Sequence, residues 1–203
     1  MGRCSLIAYA IVLAAGGSTR MRDKFKLTVD LGGRPLVLWS VYTALRSSVK
    51  GVIVVTGNRA DEVEGVLPRD VKVVRNAEWR EGMSSSIRAG VRALPDSVEA
   101  LVILVGDQPF VRSSTIDRLV EALRRGRVVA YCTLDGDVRN PVAFRRVLFP
   151  ELSSITGDRG AKELVRRHLA DGEGVTVDPI ELLDVDTETD LMRALDLARS
   201  RSL

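Results

Sequence analysis

Short apolar runs bounded by turn-forming residues alternate along this chain with segments of helical spacing. Ala10–Ala14, Gly51–Thr56, Val71–Val74 and Ala100–Val105 read as strands, the last apolar throughout and therefore central. Pro35–Leu45 repeats Leu38, Val41, Tyr42 and Leu45 at helical intervals, and Asp61–Leu67 reads as a short helix. Ser84–Leu94 sets Ile87, Val91 and Leu94 on one face until Pro95 stops it. Ser113–Arg125, opened by a serine cap, carries Ile116, Leu119, Val120 and Leu123 on one stripe. Beyond Arg125 the rhythm changes. Arg127–Leu134 reads as a strand, Asp135-Gly136 as a hairpin turn and Pro141–Phe144 as the partner strand. A helix near Arg159–Leu169, a short strand near Leu182–Val185 and a closing helix near Glu188–Arg199 complete the pattern.

This alternation predicts an α/β fold: a mostly parallel sheet with helices on both faces, a three-layer αβα sandwich. At 203 residues one domain is expected, with the change of rhythm after Arg125 dividing it into halves 1–126 and 127–203. Hydrophobic residues at 45% and charged residues at 28% are ordinary for a soluble globular protein. The net charge of +3 is spread along the chain. Arg124, Arg125 and Arg127, like Arg166 and Arg167, read as solvated helix ends. With aromatics at only 4%, nucleic acid is not an expected partner. No apolar run reaches membrane-spanning length, and the start of the chain does not read as a signal peptide. Cys4 and Cys132 sit in no metal spacing and make no disulfide framework, which fits a reducing, cytoplasmic setting. His168, the single histidine, reads as a surface residue of a charged helix.

In such a sheet, ligands bind at the carboxyl ends of the strands, and the polar clusters fall there. After the first strand comes Leu13-Ala14-Ala15-Gly16-Gly17-Ser18-Thr19-Arg20-Met21, followed by Lys24 and Lys26. Backbone N–H groups of a small-residue loop approach an anion closely, and these cations lie beside them, so a triphosphate is the natural guest. The loop is neither a G-x-G-x-x-G dinucleotide fingerprint nor a P-loop, and Gly82-Met83-Ser84-Ser85-Ser86 is not a nucleophile elbow.

Asp107 ends the most buried strand in Gly106-Asp107-Gln108-Pro109. A carboxylate there suits Mg²⁺, which takes one or two carboxylates plus substrate phosphate oxygens. In Asp184-Val185-Asp186-Thr187 the two aspartates share one strand face. Asp186 is a second metal ligand, or Asp186 or Thr187 caps the last helix, with Asp190 complementing the helix start. Trp79–Ser86 opens a helix with a serine cap and frames a base and ribose. A cationic glycine loop, a metal carboxylate and no protein nucleophile point to phosphoryl or nucleotidyl chemistry. An attacking phosphate monoester has a second pKa of about 6 and needs no base.

In these motifs the chain resembles the MobA-like nucleotidyltransferases, and most nearly the molybdenum cofactor cytidylyltransferases. It carries L-A-A-G-x-S-x-R-M at Leu13–Met21, with Lys26 seven residues before Gly33-Arg34-Pro35-Leu36. W-x-x-G-M-x-x-S follows at Trp79–Ser86, and G-D-x-P at Gly106–Pro109. Then come Pro141–Phe144, G-D-x-G-A at Gly157–Ala161 and D-V-D-T at Asp184–Thr187. The resemblance implies a Rossmann-like fold of the nucleotide-diphospho-sugar transferase type. It implies Leu13, Ala14, Ala15, Gly16, Gly17, Ser18 and Arg20 around the triphosphate, Lys26 on phosphate and Gly82 and Ser86 near the base. Asp107 then holds Mg²⁺ with Asp186 as a second position, and Asn140 and Asp158 face the acceptor. Arg20, Lys26 and Asp107 are the expected catalytic set.

Ala15, where guanylyl members carry glycine, favours CTP over GTP. The expected reaction transfers CMP to the terminal phosphate of molybdopterin, the product passing to a molybdoenzyme. The alternatives are GTP as donor, a sugar or polyol phosphate as acceptor, or a nucleotide-binding carrier without turnover. Arg22 stands where the family has glycine, Lys24 is an additional cation that could serve phosphate in place of Lys26, and Asn140 replaces a histidine common before the proline.

Overall fold

The computed structural model describes residues 6–16, 25–157 and 160–200. Gly17, Ser18, Arg20, Lys24 and Asp158 lie outside the described residues. Among the described residues seven strands form one sheet: β1 (Ala8–Ala14), β2 (Gly51–Thr56), β3 (Lys72–Arg75), β4 (Ala100–Val105), β5 (Val129–Leu134), β6 (Asp137–Arg145) and β7 (Gly172–Thr176). Their order is β3-β2-β1-β4-β6-β5-β7. Only β6 runs against the rest. The mostly parallel three-layer sandwich expected from the sequence is the fold.

Period-two alternation in the central strands builds two cores. Ala10, Val12, Val102 and Leu104 pack on one face against Val37 and Val41 of α1 (Leu36–Leu45) and Ile116, Leu119 and Leu123 of α4 (Ser113–Arg124). The small helix α2 (Ala60–Glu64) adds Val63 to this layer. On the other face Ile11, Leu13, Leu101 and Ile103 meet Ile87 and Val91 of α3 (Met83–Arg92), Leu152 of α5 (Phe149–Ser154) and Leu164 of α6 (Gly160–Arg167). A third cluster joins Leu31, Leu36, Phe110 and Val185 to Ala194 and Ala198 of α7 (Glu188–Ser200). It anchors the closing helix on the segments that follow β1 and β4.

The Asp135-Gly136 turn is as expected. Both residues have positive φ (52° and 85°), as a two-residue turn matching strand twist requires, and Leu134 pairs with Asp137 across it. Three expectations are corrected. Leu182–Val185 is not a strand. Pro179 and the Asp178 carboxylate, which accepts from Ile180 N, start a 3₁₀ turn over Pro179–Leu182, and an extended segment follows it. The sheet edge is instead taken by β7, whose Gly-Glu-Gly-Val-Thr carries a single buried apolar residue, Val175, and so shows no hydropathy signal. Nor do serines cap α3 or α4: the N-cap residues are Gly82 and Arg112, and neither helix has a side-chain cap of its own.

For α4 a distant residue takes that role. Glu181, 3% exposed, accepts from Arg112 N at 3.0 Å and from the Thr115 hydroxyl at 2.6 Å. This is the bond a capping-box acid makes to the N-cap N–H, supplied here from 69 residues downstream. It fastens the Pro179–Leu182 turn to the body of the domain. Glu181→Ala strands a backbone donor and a buried hydroxyl, and is expected to cost about 2–3 kcal/mol in urea unfolding. Glu181→Gln, which keeps an acceptor, loses less. Equal stability of the Ala variant and the wild type would show that the link contributes nothing.

Candidate active site

Strands β1 and β4 end side by side, where the strand order reverses direction from β1 and a crevice opens. Gly106 N donates to Leu13 O at 2.9 Å, carrying the pairing past the end of β4. From β1 the chain runs through Ala15, buried, to Gly16, exposed. Ala15 is held from the side: its carbonyl accepts from Asn58 N at 3.1 Å, and a Cβ on Gly57 would lie 2.8 Å from its own Cβ and 2.7 Å from that of Trp79. Glycine at 57 therefore lets three segments meet beneath the loop.

Lys26 returns to this edge in a 3₁₀ turn anchored by buried Leu27. Its ammonium donates to Asp107 Oδ2 at 2.7 Å and to Asp186 Oδ1 at 2.6 Å. Burial pulls the Lys26 pKa down, but the two carboxylates outweigh it and the net shift is upward, so the side chain is charged at neutral pH. Three residues separated by 81 and 160 positions in sequence thus meet at one point. Asp107 Oδ1 is buried and accepts no hydrogen bond among the described residues.

Asp186 is free to meet Lys26 because Thr187, not Asp186, caps α7. Thr187 Oγ1 accepts from Asp190 N at 3.1 Å, and Asp190 Oδ2 accepts from Thr187 N at 2.8 Å and Asp186 N at 3.2 Å. The Thr187 hydroxyl, which also donates to Asp190 Oδ2 at 2.7 Å, and these backbone donors hold the Asp190 carboxyl below its ordinary pKa. Val185 N donates to Asp107 O at 3.0 Å, so the Asp184–Asp186 segment lies along the turn after β4 without being a strand.

Asp184 accepts from Gln108 Nε2 at 2.9 Å. Its side chain opens to solvent, yet the cleft walls strip away enough water, and Asp107 and Asp186 stand near enough, to raise its pKa. Gln108 is itself buried, its amide oxygen without a partner among the described residues.

Two cavities flank this point. The larger, about 660 Å³, is lined by Gln108, Asp184, Asp186 and Arg193 with Leu182 and Leu183, and faces the β5–β6 hairpin. The smaller, about 100 Å³, lies under Met83, Ile87, Leu13 and Val105. Among the described residues, Asn140 and Lys162 line both. Asn140 reaches this position because the β5–β6 register breaks there: Tyr131 pairs with Val142 and Cys132 with Arg139, leaving Asn140 and Pro141 unpaired.

Gly82, φ 99°, turns the chain into α3. Ser86 is buried, its hydroxyl accepting from Asn76 Nδ2 at 3.0 Å, and the same amide reaches Ser85 at 2.8 Å. The serines therefore brace the loop that Trp79 begins. His168 is half-buried beside Glu151, away from this edge. Sequence reasoning passed over Lys162, whose one signal is its place directly after Gly157–Ala161, and over Asn76, which no motif includes. Among the described residues, no group of three or more histidine, cysteine or acidic side chains is arranged to hold a metal, and no helix is long and apolar enough to cross a membrane.

Comparison with known proteins agrees with this architecture. The chain is similar to a nucleotidyl transferase from Methanothermobacter thermautotroptrophicus, 28% identical, with 97% of this chain and 100% of that one covered and a TM-score of 0.84. It is also similar to Rv0371c from Mycobacterium tuberculosis, 26% identical over 95% of this chain and 100% of that one, TM-score 0.83. A structure of the same protein in complex with manganese matches at 25% identity over 94% and 98% of the two chains, TM-score 0.79. Among curated relatives, the bifunctional protein GlmU of Rubrobacter xylanophilus is 34% identical over 163 residues, 79% of this chain and 34% of its own length. The chain spans about a third of the length of the curated relatives it matches. Residues 10–172 match the MobA-like NTP transferase domain. The chain belongs to the MobA-like NTP transferase family.

Proposed function

We propose that this protein is a Mg²⁺-dependent nucleotidyltransferase that moves CMP from CTP to the terminal phosphate of molybdopterin and releases pyrophosphate. The observation that carries the reading is the pair Asp107 and Asp186 bridged by Lys26 at the joint ends of β1 and β4. Two carboxylates and one ammonium leave a net negative charge, and the buried Asp107 Oδ1 accepts no hydrogen bond among the described residues. That donor set fits a hard dication, which takes one or two carboxylates and completes its shell with substrate oxygens. Asp107 and Asp186 would hold the ion, which when bound supplies charge neutralisation for the triphosphate.

The reacting bonds require little from the protein beyond placement. A phosphate monoester, with a second pKa of about 6, is already an anion at neutral pH. One of its oxygens bonds to the α-phosphorus, and the bond from that phosphorus to the oxygen bridging toward the β-phosphate breaks, pyrophosphate leaving with the electron pair. Lys26 brings positive charge to the phosphates from a turn packed into the core. The loop after β1, with Ala15, Gly16, Gly17, Ser18 and Arg20, cradles the triphosphate. Gly82 and the serine-braced loop border the base, and Ala15 favours cytosine. Asn140 faces the acceptor in the larger cleft, and the halves 1–126 and 127–203 divide donor from acceptor.

Three outcomes are expected. Asp107→Asn lowers the rate of pyrophosphate release from CTP and molybdopterin by about 10²–10³-fold, the loss typical of one preorganised electrostatic group. An unchanged rate removes Asp107 from the site. Dialysis against a chelator stops turnover, and added Mg²⁺ restores it; continued turnover after complete metal removal contradicts the cofactor assignment. In a panel of nucleotides and phosphorylated acceptors, CTP with molybdopterin gives the highest kcat/KM. Preference for GTP or for a sugar phosphate moves the reading to those substrates, and nucleotide binding without pyrophosphate from any acceptor identifies a carrier.

A further inference from the structure

Lys162 occupies an unusual place. It sits in the third position of α6, half-buried, and its side chain makes no hydrogen bond or ion pair among the described residues. Burial lowers its pKa, against attraction from Asp184 and Asp107 and with added repulsion from Arg139 and Arg166. An ammonium set into a cavity wall with no carboxylate in ion-pair contact among the described residues is costly unless something else supplies negative charge close by. The other cations of the larger cleft do not share this situation: Arg139 is exposed and paired with Asp137, and Arg193 is exposed.

Position strengthens the point. Among the described residues, Lys162 and Asn140 are the two that line both cavities, so Lys162 stands where the two adjoin. One side is the small cavity under α3; the other is the broad cleft. Its helix is fixed by Leu164 and Val165 in the core and by Gly160, which fits tightly against Met83: a Cβ there would approach Met83 Sδ to 2.9 Å.

We propose that Lys162 is the side chain that binds the attacking phosphate of the acceptor, holding a phosphate monoester at the junction of the two cavities. This rests on the nucleotidyltransferase reading above and assigns to that reaction a residue on the acceptor side, opposite Lys26. A compact ammonium suits the task, since it neutralises a phosphate dianion as a point charge and leaves the attacking oxygen unencumbered.

The test uses the full chain as wild type, Lys162→Ala and Lys162→Arg, with thermal melting to confirm that each folds. Phenyl phosphate, a simple monoester, is titrated by calorimetry with and without saturating Mg²⁺ and α,β-methylene-CTP, which occupies the donor site. The expected result is at least tenfold weaker phenyl phosphate binding in Lys162→Ala, near wild-type binding in Lys162→Arg, and equal affinity of all three for the nucleotide analogue. In turnover with molybdopterin, Lys162→Ala raises KM for the acceptor and leaves KM for CTP unchanged. Equal phenyl phosphate affinity in wild type and Lys162→Ala overturns the assignment, as does a parallel loss of nucleotide binding. A wild type that binds no nucleotide analogue overturns the nucleotidyltransferase reading instead, while the nucleotide-free titration still decides whether Lys162 holds phosphate.

Discussion

One ammonium held between two carboxylates organises the functional edge of this protein. Lys26 belongs to the segment after β1, Asp107 to the turn after β4, and Asp186 to the approach to α7, so a single charged contact ties together three parts of the chain. Such a contact is weak evidence for stability, because taking the charges out of water offsets much of their attraction. Its meaning lies in geometry. It fixes a cation and two anions at the crevice where a parallel sheet receives ligands, and it leaves one buried carboxylate oxygen without a hydrogen-bond partner among the described residues.

The surrounding structure serves to hold that point still. Val185 lies against the Asp107 backbone, and the Thr187–Asp190 capping pair fixes the backbone N–H of Asp186. Glu181 fastens the same C-terminal stretch to the start of α4. Helix α7 then closes over Leu31, Leu36 and Phe110, coupling its packing to the segments that carry Lys26 and Asp107. Residues distant in sequence are thereby fixed relative to one another, as in-line chemistry between two bound substrates requires.

Much of this was legible in the sequence, for physical reasons that differ by element. Strands β2 and β4 were readable to the residue because both are continuous apolar runs with clear ends. The hairpin turn was readable because Asp-Gly admits positive φ at both positions. Strand β7 was not, since an edge strand rich in glycine has little to bury. Helix caps were misread at α3 and α4 because serine propensity is local, while the partner of Arg112 N is Glu181, far along the chain. In the site, Lys26, Asp107 and Asp186 were each visible as polar residues after strands or in motifs. Their meeting at one sheet edge was expected from the strand ends and the motifs; that the Lys26 ammonium would bridge both carboxylates was not visible, and neither was the placement of Lys162, which depends on how α6 packs across the sheet. Gly17, Ser18, Arg20 and Asp158 fall outside the described residues.

In the proposed function, Asp107 and Asp186 form a divalent-cation site that completes itself with a nucleotide. Electron paramagnetic resonance of Mn²⁺ titrated into the protein with and without CTP measures this directly. The expected result is one Mn²⁺ bound per chain with CTP present, weak binding without nucleotide, and loss of the nucleotide-enhanced signal when both aspartates are changed to asparagine. Undiminished CTP-dependent Mn²⁺ binding in that double variant would contradict it.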